Sequence, residues 1–318
     1  MITSYITHPD CARHYMGPWH PENPQRLEAI RARLALSGVL QHTMQYDAQV
    51  ASEEQILRIH PHSHIVALHN QVVNGQTDKG TTGNDDLVCV GDDTFMNQTS
   101  LEVARVAAGA VIRGVDQLFR KQADNVFCAV RPPGHHAERD QAMGFCFYNN
   151  VAIAVAHAKA VYGIKRVAIL DFDVHQANGT VDIFKHDPDV LVCSSFQSDF
   201  YPWRYLESHW EHIINTPLAQ GAGSREFRHA VEHVWLPRLQ LHRPEIIFIS
   251  AGFDAHREDP MGELNLEEDD YFWATQLAVD IARIYSQGRL LSVLEGGYHL
   301  EALGRSVEAH LKGLIGLH

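Results

Sequence analysis

The chain has 318 residues, 45% hydrophobic and 20% charged, with a formal net charge of −13. That balance belongs to a folded globular chain with room for a recessed site, and it excludes a disordered or low-complexity one. The acidity, and lysines and arginines scattered rather than clustered, exclude a phosphate-tracking surface, so no direct nucleic-acid partner is expected.

The first residues, MITSYITHPD, have neither a basic start nor an apolar run, so no signal peptide is expected. No stretch approaches the ~18 apolar residues of a membrane span. A helix through Leu27, Ile30 and Leu34 stops at Gly38, and a longer one covers 101–120. The run Val126–Val130 reads as a buried strand, followed by a helix at 149–162. Further strands are expected at 167–170, 190–193, 246–249 and 290–294, with helices at 225–240 and 268–286. Strands alternating with helices imply a mostly parallel sheet covered on both faces, an α/β fold. With no repeat and no Pro/Gly/Ser linker, one three-layer domain over 1–318 is expected. Cys11, Cys89, Cys128, Cys146 and Cys193 are odd in number, widely spaced and free of CxxC. They point to a reducing, cytoplasmic setting rather than to a disulfide framework or thiolate metal site.

The polar residues with chemical promise follow strands, where open α/β sheets bind ligands. In AILDFDVHQANGT, residues 168–180, Asp171, Asp173 and His175 alternate with apolar neighbours and project to one side of an extended chain. A carboxylate and an imidazole two residues apart can grip one cation, and catalytic zinc takes three such ligands with a position left open. Asp254, after the 246–249 strand and preceded by Gly252, is the candidate third ligand; His256 is a rival. Alone, an aspartate at such a position is a turn residue or helix cap more often than a ligand. His135 and His136, adjacent behind a Pro-Pro-Gly bend, suit a proton-transfer pair. Tyr298, after Gly296 and Gly297, is either a core tyrosine or a donor to a developing oxyanion.

Together these segments resemble the histone deacetylase family and its acetylpolyamine amidohydrolase relatives. The resemblance spans nearly the whole chain: HPENPQR at 20–26, GDDTF at 91–95, RPPGHHA at 131–137, GFCFYNN at 144–150, DFDVHQANGT at 171–180, SAGFDAH at 250–256 and EGGY at 295–298. It implies an arginase-deacetylase fold, with zinc on Asp173, His175 and Asp254. His135 and His136 match the paired catalytic histidines, His136 as the nearer acid and base. Asp171 matches the carboxylate orienting His135, Asn178 faces His136, and Tyr298 polarises the substrate carbonyl. Gly144 and Phe145 match one wall of the acyl-lysine channel, and Tyr201 falls where a second aromatic wall is usual. Arg26 matches an arginine near the acetate exit. Asp171, Asp173, His175, Ser194 and Ser195 resemble a monovalent-cation site of the potassium type, built largely from backbone oxygens.

Five positions depart from the common pattern. Asn178 stands where one branch has aspartate and is similar to the class II branch. Gln176 and Ala177 replace a His-Gly pair, Tyr201 is commonly phenylalanine, and His299 follows the tyrosine where asparagine is frequent. The implied reaction is zinc-dependent hydrolysis of an acyl group from the ε-amine of lysine in peptides or proteins, with acetylpolyamines as the alternative substrate. A two-manganese ureohydrolase would need bridging carboxylates where Gln176 and Asn178 stand. An inactive acyl-lysine-binding module should have lost a ligand, a histidine or the tyrosine, and all are present.

Overall fold

Each apolar run read as a strand enters one sheet. The protein is described by a computed structural model covering residues 1–74, 87–91, 93–207 and 209–317, so Asp92 of GDDTF lies outside the described residues. The chain opens with β1 (Thr3–Thr7), α1 (Gln25–Leu36), β2 (Thr43–Asp47), α2 (Glu53–Leu57) and α3 (His62–Asn74). A two-stranded antiparallel ribbon, β3 (Val88–Cys89) and β4 (Phe95–Met96), precedes α4 (Ser100–Phe119). Then come β5 (Asn125–Cys128), α5 (Asn150–Tyr162), β6 (Val167–Asp171), α6 (Asn178–Phe184), β7 (Val190–Gln197) and β8 (Ile213–Leu218). The last third holds α7 (Ser224–Ala230), α8 (Leu236–His242), β9 (Ile246–Ala251), α9 (Glu268–Tyr285), β10 (Leu290–Leu294) and α10 (Leu300–Ile315).

Eight strands pair in the order β2-β1-β5-β10-β9-β6-β7-β8, every pair parallel. Crossing back between parallel strands requires helices on the faces. One apolar layer joins α4 and α5 to the sheet through Val103, Val111, Val151 and Val155. The other joins α1, α9 and α10 through Leu34, Ala278, Val307 and Leu311. The three-layer arrangement is the one expected.

Local differences have local causes. The helix read as 225–240 is interrupted by a π-helical turn, Val231–Trp235, just before Pro237, which cannot donate a backbone hydrogen bond. The strand read as 126–130 runs from Asn125 to Cys128, because the chain beyond turns into the Pro-Pro-Gly bend. Strand β8 was not foreseen: Asn215 and Pro217 break its apolar pattern, which an edge position tolerates. Among the described residues no helix is long and apolar enough to cross a membrane. None of the five cysteines is in a disulfide.

The strand order matters for chemistry. Strands β5, β10, β9 and β6 are neighbours, so residues following their carboxyl ends converge on one spot. Those are the segments of His135 and His136, Tyr298, Asp254, and Asp171 to His175.

Candidate active site

Asp173, His175 and Asp254 are 1%, 6% and 0% exposed, and their ligand-type atoms all lie within 4.8 Å of one another. Backbone groups set the carboxylates. Gly296 N–H donates to Asp173 Oδ2 at 2.9 Å, and Val174 N–H donates to Asp254 Oδ1 at 2.8 Å. The glycines permit this approach: a Cβ on Gly252 would stand 2.0 Å from Asp173 Oδ2, and one on Gly296 2.0 Å from Asp254 Oδ2. His175 Nδ1 sits 2.9 Å from Asp173 Oδ1 and 3.2 Å from Asp254 Oδ2.

The electrostatics of this cluster ask for a cation. Burial pushes the Asp254 carboxyl up, and the like charge of Asp173 adds to it, to about 7. Burial opposes charge on His175, but hydrogen bonds to Asp173 and Asp254 outweigh it and hold the imidazole protonated to about 10. Asp254 Oδ2 is buried, and the His175 ring is the group that faces it, with Nδ1 3.2 Å away. Carboxylate oxygens and an imidazole nitrogen held together by one shared proton are the donors a divalent metal takes up as it displaces that proton. His256, the rival, is buried away from this group; its Nδ1 accepts from Glu258 N–H at 3.1 Å.

Behind the cluster the two histidine rings lie tilted by 43°, with centroids 4.0 Å apart. His135 Nδ1 meets Asp171 Oδ2 at 3.0 Å, and its Nε2 lies 3.6 Å from Asp173 Oδ2. Burial alone would depress its pKa, yet Asp173 and Asp171 raise it well above the usual histidine range. His136 Nδ1 meets Asn178 Oδ1 at 2.6 Å. Burial and the neighbouring positive charges of His135 and His175 hold it well below that range. The pair is thus split into a charged and a neutral member.

Tyr298 completes the floor. Its backbone N–H donates to Asp259 Oδ2 at 2.6 Å, and its ring lies over the Arg26 guanidinium at 4.9 Å. Arg26 is fully buried and donates to the carbonyls of Gly297 at 2.7 Å and Glu295 at 2.5 Å. It therefore steadies the tyrosine turn, a job the sequence did not reveal. A cavity of about 460 Å³ opens above, lined by His136, His175, Tyr298, Gly144, Phe145 and Tyr201 among others. Phe145 is 5.9 Å from the Tyr298 ring, and Tyr201 is 5.2 Å from His136. Ser194 and Ser195 follow Cys193 on β7, with Ser194 opposite Asp171 in register.

The cavity also contains residues that sequence reasoning did not assign. Phe200 stacks on His175 at 5.5 Å; its signal was the aromatic pair preceding Pro202. Asp93, Met261 and Glu263 line the mouth. Asp259, which accepts from Tyr298 and His299 N–H, lay in the SAGFDAHRED segment without a recognised role. Glu138, buried beside Asn178, was likewise unassigned.

Known proteins place this site in a family. A sequence model of the histone deacetylase domain matches residues 20–314. The histone deacetylase-like amidohydrolase of Pseudomonas aeruginosa is 35% identical over 307 residues, covering 93% of this chain and 77% of that one. The human polyamine deacetylase HDAC10 is also 35% identical, over 93% of this chain and 44% of its own length. Among solved structures, the HDA15 HD domain superposes with a TM-score of 0.89 at 32% identity, covering 99% of this chain and 90% of that one. The chain therefore has the arginase-deacetylase fold and belongs to the histone deacetylase family of hydrolases acting on amide bonds.

Proposed function

We propose that this chain, as one catalytic domain, is a zinc-dependent deacylase that removes acetyl or related acyl groups from lysine ε-amines in peptides or proteins. The observation that carries the reading is the Asp173–His175–Asp254 cluster sharing one cavity with His136 and Tyr298. Bound there, zinc supplies a Lewis acid for the acyl carbonyl and lowers the pKa of water to ~7. The chain's residues do the rest. Asn178 Oδ1 accepts a hydrogen bond from His136 Nδ1–H and keeps the proton there, which leaves Nε2 free to accept the proton of the attacking water. Tyr298 donates its phenolic hydrogen to the oxygen as charge develops. His135, charged against Asp171, supports proton return to the leaving amine. Phe145, Phe200 and Tyr201 keep bulk water from the acyl chain. Acetate leaves past Arg26.

A monovalent cation of the potassium type would sit on Asp171, Asp173, His175, Ser194 and Ser195. Ser194 Oγ, buried with no hydrogen-bond partner, is compatible with that site. The family motifs, the five free cysteines and the acidic surface fit a cytoplasmic enzyme with no membrane or nucleic-acid partner.

One observation favours a second substrate. Asp93 and Glu263 line the mouth, and among its described lining residues there is no lysine or arginine. An acidic mouth suits a second ammonium group, as an acetylpolyamine carries. Turnover of acetyl-lysine peptides against acetylputrescine and acetylspermidine decides between them. Higher kcat/KM on a peptide is expected. A clear preference for either polyamine would reverse the assignment, and inertness of the zinc-loaded protein toward all of them would defeat it.

A further inference from the structure

We propose that Arg204 is a positioning residue for the general base: through Glu138 it fixes the amide of Asn178 and, with it, the tautomer of His136. This inference rests on the reading of His136 as the base. An asparagine amide is nearly symmetric in shape, so its partners decide which end faces a histidine. Here Asn178 Nδ2 donates to Glu138 Oε1 at 2.8 Å and, at the longer distance of 3.3 Å, to the His136 carbonyl, and a carboxylate can only accept. The amide nitrogen is therefore held toward Glu138, and Oδ1 faces His136 Nδ1 at 2.6 Å. That nitrogen must carry the proton, which leaves Nε2 with a lone pair. A reversed amide would donate to Nδ1, move the proton to Nε2 and abolish the base.

Glu138 is 6% exposed, and its other oxygen accepts from Arg204 Nη1 at 2.7 Å. Without the guanidinium, a nearly buried carboxylate loses its countercharge and turns toward water. Asn178 Nδ2 is then left with its longer bonds, to the His136 carbonyl and Met143 Sδ at 3.3 Å each, and the amide is held less firmly. Arg204 comes from the loop after β7 that also carries Phe200 and Tyr201. In that loop Asp199, Trp203 and Tyr205 have φ of 53°, 60° and 51°, a backbone that non-glycine residues hold where side chains tie it down. The ties are Arg204 to Glu138 and Gln141, and the Tyr205 hydroxyl to Asp182 at 2.8 Å. One side chain thus joins the aromatic wall of the cavity to the orientation of its base.

The test uses the full zinc-loaded chain with an acetyl-lysine peptide. In Arg204→Ala, kcat should fall roughly tenfold, a fraction of the ~10²–10⁴ a general base supplies, with little change in KM. Arg204→Lys should recover most of the loss. In a Glu138→Gln background, Arg204→Ala should add no further loss, because both act on the same amide. Nitrogen-15 shifts of the His136 imidazole report the tautomer without turnover. Wild type should carry the proton on Nδ1, and Arg204→Ala should show a mixture. An unaltered tautomer, additive losses in the double variant, or an effect confined to KM would overturn the proposal. An inactive wild type with the Arg204-dependent tautomer would instead defeat His136 as base while leaving the positioning intact.

Discussion

At the cavity floor, Asp173 and Asp254 are buried and take backbone N–H groups from Gly296 and Val174, whose positions follow from the sheet. At the mouth, Glu263 is exposed, and its carboxylate is tied by one side-chain amide, Gln197, at 3.0 Å. Backbone donors at strand ends give a geometry that side-chain changes elsewhere hardly move; a rim held by single side chains can vary while the sheet stays the same. Chemistry belongs to the first region and substrate choice to the second. Substitutions should therefore act on turnover at the floor and on recognition at the rim.

The largest effect is expected from Asp254→Ala. The variant should fold, bind no stoichiometric zinc and show no measurable turnover, checked by metal analysis and thermal melting together. A full complement of zinc in that protein would mean the third ligand lies elsewhere.

Next is Tyr298→Phe. Asp259 and Arg26 hold the turn through backbone groups, so the ring should stay in place while the donor is lost. Turnover should fall at least about tenfold, toward the ~10²–10³ of a missing oxyanion donor, with hydroxamate affinity losing less. Unchanged turnover would return Tyr298 to the apolar core.

A smaller effect concerns the pH profile. His136 is held low by burial and by positive neighbours, and as the proposed base it would have to be neutral. A carboxylate at Asn178 would raise its pKa, so stabilisation of the charged form would persist to higher pH and the acidic limb of kcat/KM should move up. Glu138 stands 2.8 Å from Asn178 Nδ2 and would repel a new charge, so the shift is best read with Glu138→Gln present. A limb that stays put, or moves down, would contradict the role of His136. The smallest effect belongs to Glu263→Gln. KM for cationic substrates should rise about two- to threefold at low salt, and the difference should shrink as salt screens it. A loss in kcat instead would blur the division between floor and rim.

How much of this was legible follows the same division. The alternation Asp171–Asp173–His175 after an apolar run, and the adjacent histidines after another, are local patterns, and the parallel sheet brings them together. The glycines at 252 and 296 were visible, though their reason is contact with carboxylates contributed by other strands. The rim was not legible. Gln197 meets Glu263, and Glu138 meets Arg204, each across 66 residues of chain, and no periodicity announces such loop contacts. The sequence reading sets Asn178 opposite His136, and the two side chains lie 2.6 Å apart, but the carboxylate behind Asn178 came from packing. Strand β8 escaped because an edge strand need not be continuously apolar.

The most direct test of the central claim is a metal titration. Zinc added to metal-depleted protein should restore acetate release from an acetyl-lysine peptide linearly, reaching a plateau at one equivalent per chain. Full activity without metal, or a plateau requiring two equivalents, would contradict a single zinc on Asp173, His175 and Asp254.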